Sequence, residues 1–193
     1  MRIAILLLLS TFIISCGGPN GGGGSVDLSG YTTTNLSGNG VKAQKFSADG
    51  TLVEEGYLAN GKMNGVWLTY HPDGSISTLT TYVDNLKSGP HLEFTQRGQI
   101  ILKAYFDNGE FDGPYGKYKS GRPVSESMYK KGKLDGTHKE FFTSGRESGK
   151  LQKLVEFKNG VQDGKLEYYD AEGNVTLTYQ YENGVKLEGG IIE

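Results

Sequence analysis

The chain has 193 residues, with 20 Lys and Arg against 22 Asp and Glu and a formal charge of -2. So small a charge excludes general steering toward nucleic acid or an acidic membrane. A single cysteine excludes an internal disulfide, so the folded part must hold together by sheet hydrogen bonds and packing, and 30 glycines among 12 tyrosines suggest turns punctuating short strands.

The chain opens with Met1 and Arg2, runs apolar over positions 3–14 apart from Ser10 and Thr11, and reaches Ser15-Cys16-Gly17-Gly18. One positive charge, a run far shorter than the ~20 residues of a spanning helix, and then small residues make a signal-peptide layout over 1–15. The stretch Ile13-Ile14-Ser15-Cys16 resembles a bacterial lipobox, which implies lipidation of Cys16 and loss of Arg2, taking the charge from -2 to -3. The expected address is therefore the cell envelope, lipid-anchored to a membrane. Gly17, which is not the aspartate associated with inner-membrane retention, favours the outer membrane. Positions 16–40 are rich in Gly, Ser, Thr and Asn and read as a flexible tether.

Positions 41–193 repeat. A motif of the form aromatic-x-Asn-Gly-x-x-Asp-Gly, with leucine in the aromatic place of the first copy, begins at Leu58, Tyr82, Phe106, Tyr129, Phe157 and Tyr181, at spacings of 24, 24, 23, 28 and 24 residues. It closes on Gly65, Gly89, Gly113, Gly136 and Gly164, and degrades to Glu188-Gly189 in the last copy. Five residues after each of the first five glycines stands Tyr70, Phe94, Tyr118, Phe141 or Tyr169, and a further glycine follows at 74, 98, 121, 145 and 173. Each unit is thus two short strands divided by two turns, because Asn-Gly and Asp-Gly accept the positive φ that tight hairpins need. Asn85 replaces the first glycine of the second copy, and Asn tolerates left-handed backbone best among its substitutes. The intervals are too short for typical helices. The expectation is an all-β protein, an elongated single antiparallel sheet of tandem hairpins with about thirteen strands, capped at its ends by the polar stretch before Val41 and by 186–193.

These glycines and aromatics resemble MORN repeats, most clearly in Tyr129-Lys130-Lys131-Gly132-Lys133-Leu134-Asp135-Gly136 and Phe157-Lys158-Asn159-Gly160-Val161-Gln162-Asp163-Gly164. The resemblance implies a non-catalytic hairpin-repeat domain used for protein association, and its bacterial variety includes proteins described as YwqK-like antitoxins. An antitoxin or immunity-like role is the alternative reading. A lipidated chain outside the cytoplasm does not meet a cytoplasmic toxin. Two units depart from the pattern: the fourth carries extra residues over 144–150, expected to form a longer turn, and the third is one residue short at Lys119-Ser120-Gly121, with Pro123 expected to weaken pairing.

No catalytic constellation, metal site or cofactor site is expected. Residues 144–151 fall short of a phosphate-binding loop, since Ser144 stands where glycine is required and Leu151 where Ser or Thr is required. His71, His91 and His138 lie in three different units without cysteine partners and read as surface histidines, and Asp112, Asp135 and Asp163 recur where a side chain makes a turn. The repeated aromatics Tyr70, Phe94, Tyr118, Phe141 and Tyr169 read as the core ladder, whereas Trp67, Tyr115 and Phe142 break the pattern and are the candidates for partner contact. Seven basic residues between Lys117 and Lys139 read as solvated edge and turn charges. The expected partner is a protein or envelope component, with no nucleic acid and an oligomeric state left open.

Overall fold

The computed structural model describes residues 24–192, so Cys16 and the signal segment lie outside the described residues. Every strand belongs to one open antiparallel sheet: β1 (Tyr31–Asn35), β2 (Gly40–Phe46), β3 (Leu52–Ala59), β4 (Lys62–Tyr70), β5 (Ile76–Val83), β6 (Leu86–Phe94), β7 (Ile100–Asp107), β8 (Glu110–Phe111), β9 (Gly113–Lys119), β10 (Arg122–Lys130), β11 (Lys133–Phe141), β12 (Leu151–Lys158), β13 (Val161–Tyr169), β14 (Val175–Glu182) and β15 (Val185–Ile191). Strands pair in chain order, and β8 is a short continuation that pairs β7 beside β9.

One long edge is made of two-residue turns at Asn60-Gly61, Asp84-Asn85, Asn108-Gly109, Lys131-Gly132, Asn159-Gly160 and Asn183-Gly184, with both residues at positive φ. This is the turn whose twist matches paired strands, and Asn85 (φ 73°) takes the glycine position as expected. Each turn also docks on the unit before it. In all but the first of these turns the second residue donates its N–H to a carbonyl of the preceding hairpin, as Gly132 does to Phe111 at 2.8 Å and Gly160 to Leu134 at 2.7 Å; in the first, Asn60 donates to Asn39 at 3.3 Å. The recurring carboxylates complete the joint by accepting from the following unit's turn: Asp112 from Lys131 N–H (3.2 Å), Asp135 from Asn159 N–H (3.0 Å) and Asp163 from Asn183 N–H (3.1 Å). The aspartates thus fasten neighbouring turns together rather than shaping their own.

On the opposite edge the third unit's missing residue converts its turn to a two-residue one at Ser120-Gly121 (φ 51° and 76°). Pairing is not lost at Pro123. A one-residue slip absorbs the change, with Pro123 opposite Tyr118 and Ser125 opposite Lys117.

The strand-paired region starts earlier than position 41. Thr32 pairs Gln44 within β1–β2, Val26 N–H donates to Gly61 C=O at 3.0 Å, and Val26, Leu28 and Tyr31 pack against the first core cluster. The tether read over 16–40 therefore includes the capping strand, because three apolar side chains among polar neighbours are enough to cover one sheet end.

The packed side of the sheet follows one row across the strands. Its members pair in series: Ala43 with Gly56, Trp67 with Thr80, Thr80 with His91, His91 with Ala104, Tyr115 with Ser127, Ser127 with His138, His138 with Val155, Val155 with Leu166, and Leu166 with Tyr179. A bulky residue two places after each closing glycine (Trp67, His91, Tyr115, His138 or Leu166) lies beside a small or compact one (Gly56, Thr80, Ala104, Ser127 or Val155) on the preceding strand. That large-small alternation lets a single layer bury side chains against its own neighbours.

The row corrects the expected core. Strand alternation puts residues two and five places after the glycine on opposite faces, and Tyr70, Tyr118 and Tyr169 are half-buried on the other side. Their hydroxyls point to Glu55 (2.7 Å), Glu126 (3.5 Å) and Glu167 (2.6 Å).

Candidate interaction face

Of the expected contact residues Trp67, Tyr115 and Phe142, the first two have internal side-chain partners, and Phe142 is placed through its backbone. Trp67 is 3% exposed, donates its Nε1–H to the Tyr57 carbonyl at 3.1 Å, and meets Tyr31 and Tyr82 edge-on. Tyr115 is half-buried against Phe111 and Tyr129, at ring separations of 5.3 and 5.7 Å. Phe142 closes the base of the 142–150 loop through backbone bonds with Lys150 and Gly149. Trp67 and Tyr115 do not break the repeat pattern; they occupy the bulky position of the packed row. Comparing positions two residues after each closing glycine would have revealed it.

The same comparison relocates two histidines. His91 is buried and His138 half-buried in the row. Thr80 Oγ1 lies 2.8 Å from His91 Nδ1, and His91 Nε2 lies 3.2 Å from Glu93. Ser127, His138 and Glu140 reproduce this arrangement 47 residues later at 2.8 and 3.3 Å. The neutral tautomer with Nε2–H satisfies both neighbours, accepting from the hydroxyl and donating to the carboxylate. Recurrence at the same repeat position marks these trios as packing devices. The third histidine, His71, places Nε2 3.0 Å from the Phe94 carbonyl.

Burial holds the His91 imidazole below its ordinary value of 6.5, outweighing the opposing pull of Glu93. The unfolded chain therefore takes up protons before the folded one as pH falls through 6.5, so His91 stabilises the neutral-pH fold and that contribution is lost below it. Urea midpoints of the wild type should fall between pH 7 and pH 5, and His91→Gln should flatten the decline. Parallel declines in the two proteins would refute the assignment.

The opposite face is open. Tyr57, Val66, Tyr105 and Met128 are 47, 41, 36 and 41% exposed there, and Pro90 and Pro114 lie beside Tyr105 and Met128 in register. Where other units carry Leu68, Leu92, Lys139 or Glu167 three places after the closing glycine, the third has Gly116. A Cβ at Gly116 would meet the Tyr118 hydroxyl at 2.7 Å, so the missing side chain is what lets that ring lie down. The result is a groove of about 300 Å³ with Lys103, Met128 and Lys139 in its lining. At one end of this face Glu55 accepts from Tyr70 and pairs with Lys42 at 2.9 Å. These partners lower its pKa, while burial and Glu55 push Tyr70 up to about 12.

The basic stretch does not form one patch. Lys119 and Arg122 sit at the β9–β10 turn, and Lys130, Lys131 and Lys133 at the β10–β11 turn, on opposite long edges of the sheet. Among the described residues, no group of three or more His, Cys, Asp or Glu side chains is placed to hold a metal.

The fold and its faces define the class, a single-layer hairpin-repeat sheet with one packed and one open side. Within it, residues 63–84, from β4 through β5 to the following turn, match the model of the MORN repeat variant family. No curated protein matches the chain significantly.

Proposed function

We propose that the chain is an exported lipoprotein, anchored through Cys16, whose sheet acts without catalysis as a binding scaffold and offers its open face to a protein partner in the cell envelope. The observation that carries this reading is the exposed band of Tyr57, Val66, Tyr105 and Met128 on one side of a sheet whose other side is packed. Exposed aromatic and Met side chains grouped on one surface favour protein contact, and a shallow face suits a partner surface better than a small substrate. The sequence before the sheet supports the address: an apolar run, then Ser15-Cys16-Gly17 and a glycine-rich stretch.

Fractionation tests the anchor. The wild type should sediment with membranes and Cys16→Ala should shift to the soluble or secreted fraction. A wild type that is soluble in the cytoplasm would end the lipoprotein reading and turn attention to an antitoxin role. Tyr105→Ser with Met128→Ser should leave folding and fractionation unchanged and reduce partner capture.

A further inference from the structure

The edge opposite the docked turns is irregular at one place. The β9–β10 turn is one residue short, and the next connection on that edge, residues 142–150, is the longest between strands after β2. A short turn beside a long loop leaves a recess of about 430 Å³. Its polar lining is Lys119, Arg122 and the hydroxyl residues Ser120, Thr143, Ser144 and Ser148, with no carboxylate. Among the described residues, neither Lys119 nor Arg122 takes part in an ion pair.

The loop is built around the arginine. Gly149 has φ of +91°, and a Cβ there would lie 3.5 Å from Arg122 Cβ and Cδ, so the arginine stem runs along the loop backbone. Lys150 is held away, donating its Nζ–H to the Ala171 carbonyl at 2.6 Å. The nearest carboxylate is that of Glu147, which does not line the recess itself but lies against the lining residue Gly145, where a Cβ would meet its Oε2 at 2.7 Å.

We propose that this recess binds a phosphate group, either free or carried on a larger molecule. A guanidinium fork, an ammonium and four hydroxyls offer more donors than the two oxygens of a carboxylate can accept, and they suit a tetrahedral dianion. The site is unlike a glycine-rich phosphate loop, because strands flank the loop and no helix follows it. It lies on the sheet edge, apart from the open face, and does not depend on the binding role of that face.

The test is an amide-resolved titration of the full-length chain with inorganic phosphate at constant ionic strength, paired with sedimentation on phosphatidylcholine vesicles with and without phosphatidylglycerol. Saturable shifts should be confined to residues 119–122 and 143–149. Lys119→Gln with Arg122→Gln should weaken binding at least tenfold, while Lys130→Gln with Lys133→Gln on the other edge should change it less than twofold. Saturation by inorganic phosphate without site-dependent vesicle binding identifies a soluble phosphate. Vesicle binding that the recess pair alone weakens identifies a headgroup. Absence of saturation in both arms, or equal loss from the two pairs, would overturn the proposal.

Discussion

Gly56→Val should unfold the N-terminal end of the sheet, and adding Trp67→Leu should largely restore it. A Cβ on Gly56 would lie 2.2 Å from Trp67 Cδ2, inside the indole itself, and Trp67 has no free volume to retreat into because Tyr31 and Tyr82 meet its ring edge-on. Overpacking of this severity costs about 3 kcal/mol or more. Trp67→Ala should cost a similar ~3–5 kcal/mol from the opposite cause, a cavity beside Ala43, Leu58 and Met63 and an unpartnered Tyr57 carbonyl. The double substitution transplants a pair that the protein already uses, Val155 beside Leu166 in the same row positions. The two single losses should therefore fail to add, with the double variant more stable than Gly56→Val alone. Urea unfolding followed by Trp67 fluorescence is silent in the Leu variant, so circular dichroism is the measurement. A double variant no more stable than the worse single one would mean the row is not the unit of packing.

Gly189→Ala should detach the last strand while the rest of the sheet stands. A Cβ there would come within 2.1 Å of the Thr178 carbonyl oxygen and 2.6 Å of Tyr179 Cα, which is backbone and cannot rotate away. Pairs such as Thr178 with Gly190 and Leu177 with Ile191 would open, at about 2–3 kcal/mol for that hairpin. Gly65→Ala is the control. Gly65 also has positive φ, but a Cβ there meets nothing within 4 Å, so only backbone strain of about 1 kcal/mol applies. In a repeat array each unit leans on its neighbours alone, so hydrogen exchange should quicken over β14 and β15 and stay slow over β5–β11. Uniformly faster exchange would instead show that the sheet opens as one body. Freeing β15 also bares β14 as an edge strand, so the variant should aggregate more readily.

The periodic signals in the sequence are sufficient for the architecture but not for the strand count, since β1 before Val41 and the short β8 beside β9 raise the expected thirteen or so to fifteen. Asn-Gly pairs set the turns, Asn85 filled a glycine position as its conformational tolerance allows, and the sheet follows chain order because consecutive hairpins have only each other to pair with. Which face is packed was not legible from aromatic content. Tyr70 and Trp67 are both large and aromatic and lie three positions apart, yet strand alternation sends them to opposite sides. Two less visible features decide the matter: small partners such as Gly56 and Ala104 across the strand, and the tyrosines' carboxylate neighbours on the open side. The histidines were misread for a related reason, since their partners Thr80 and Ser127 lie 11 residues upstream and become neighbours only once the register is known. The stretch before Val41 does cap the sheet as expected, but as a paired strand with Val26, Leu28 and Tyr31 packed on the first core cluster, so the tether is shorter than 16–40.

The most direct test of the central claim is in-cell photocrosslinking from the two faces of neighbouring strands. A photoreactive residue at Tyr105 or Met128 on the open face should give one discrete crosslinked protein in the membrane fraction, and one at Lys117, exposed on the packed side of β9, should give none. The Tyr105 product should disappear on Met128→Ser, with the chain still folded. Crosslinks of equal yield from Lys117, or none from either face in a membrane-bound chain, would contradict a partner-binding open face.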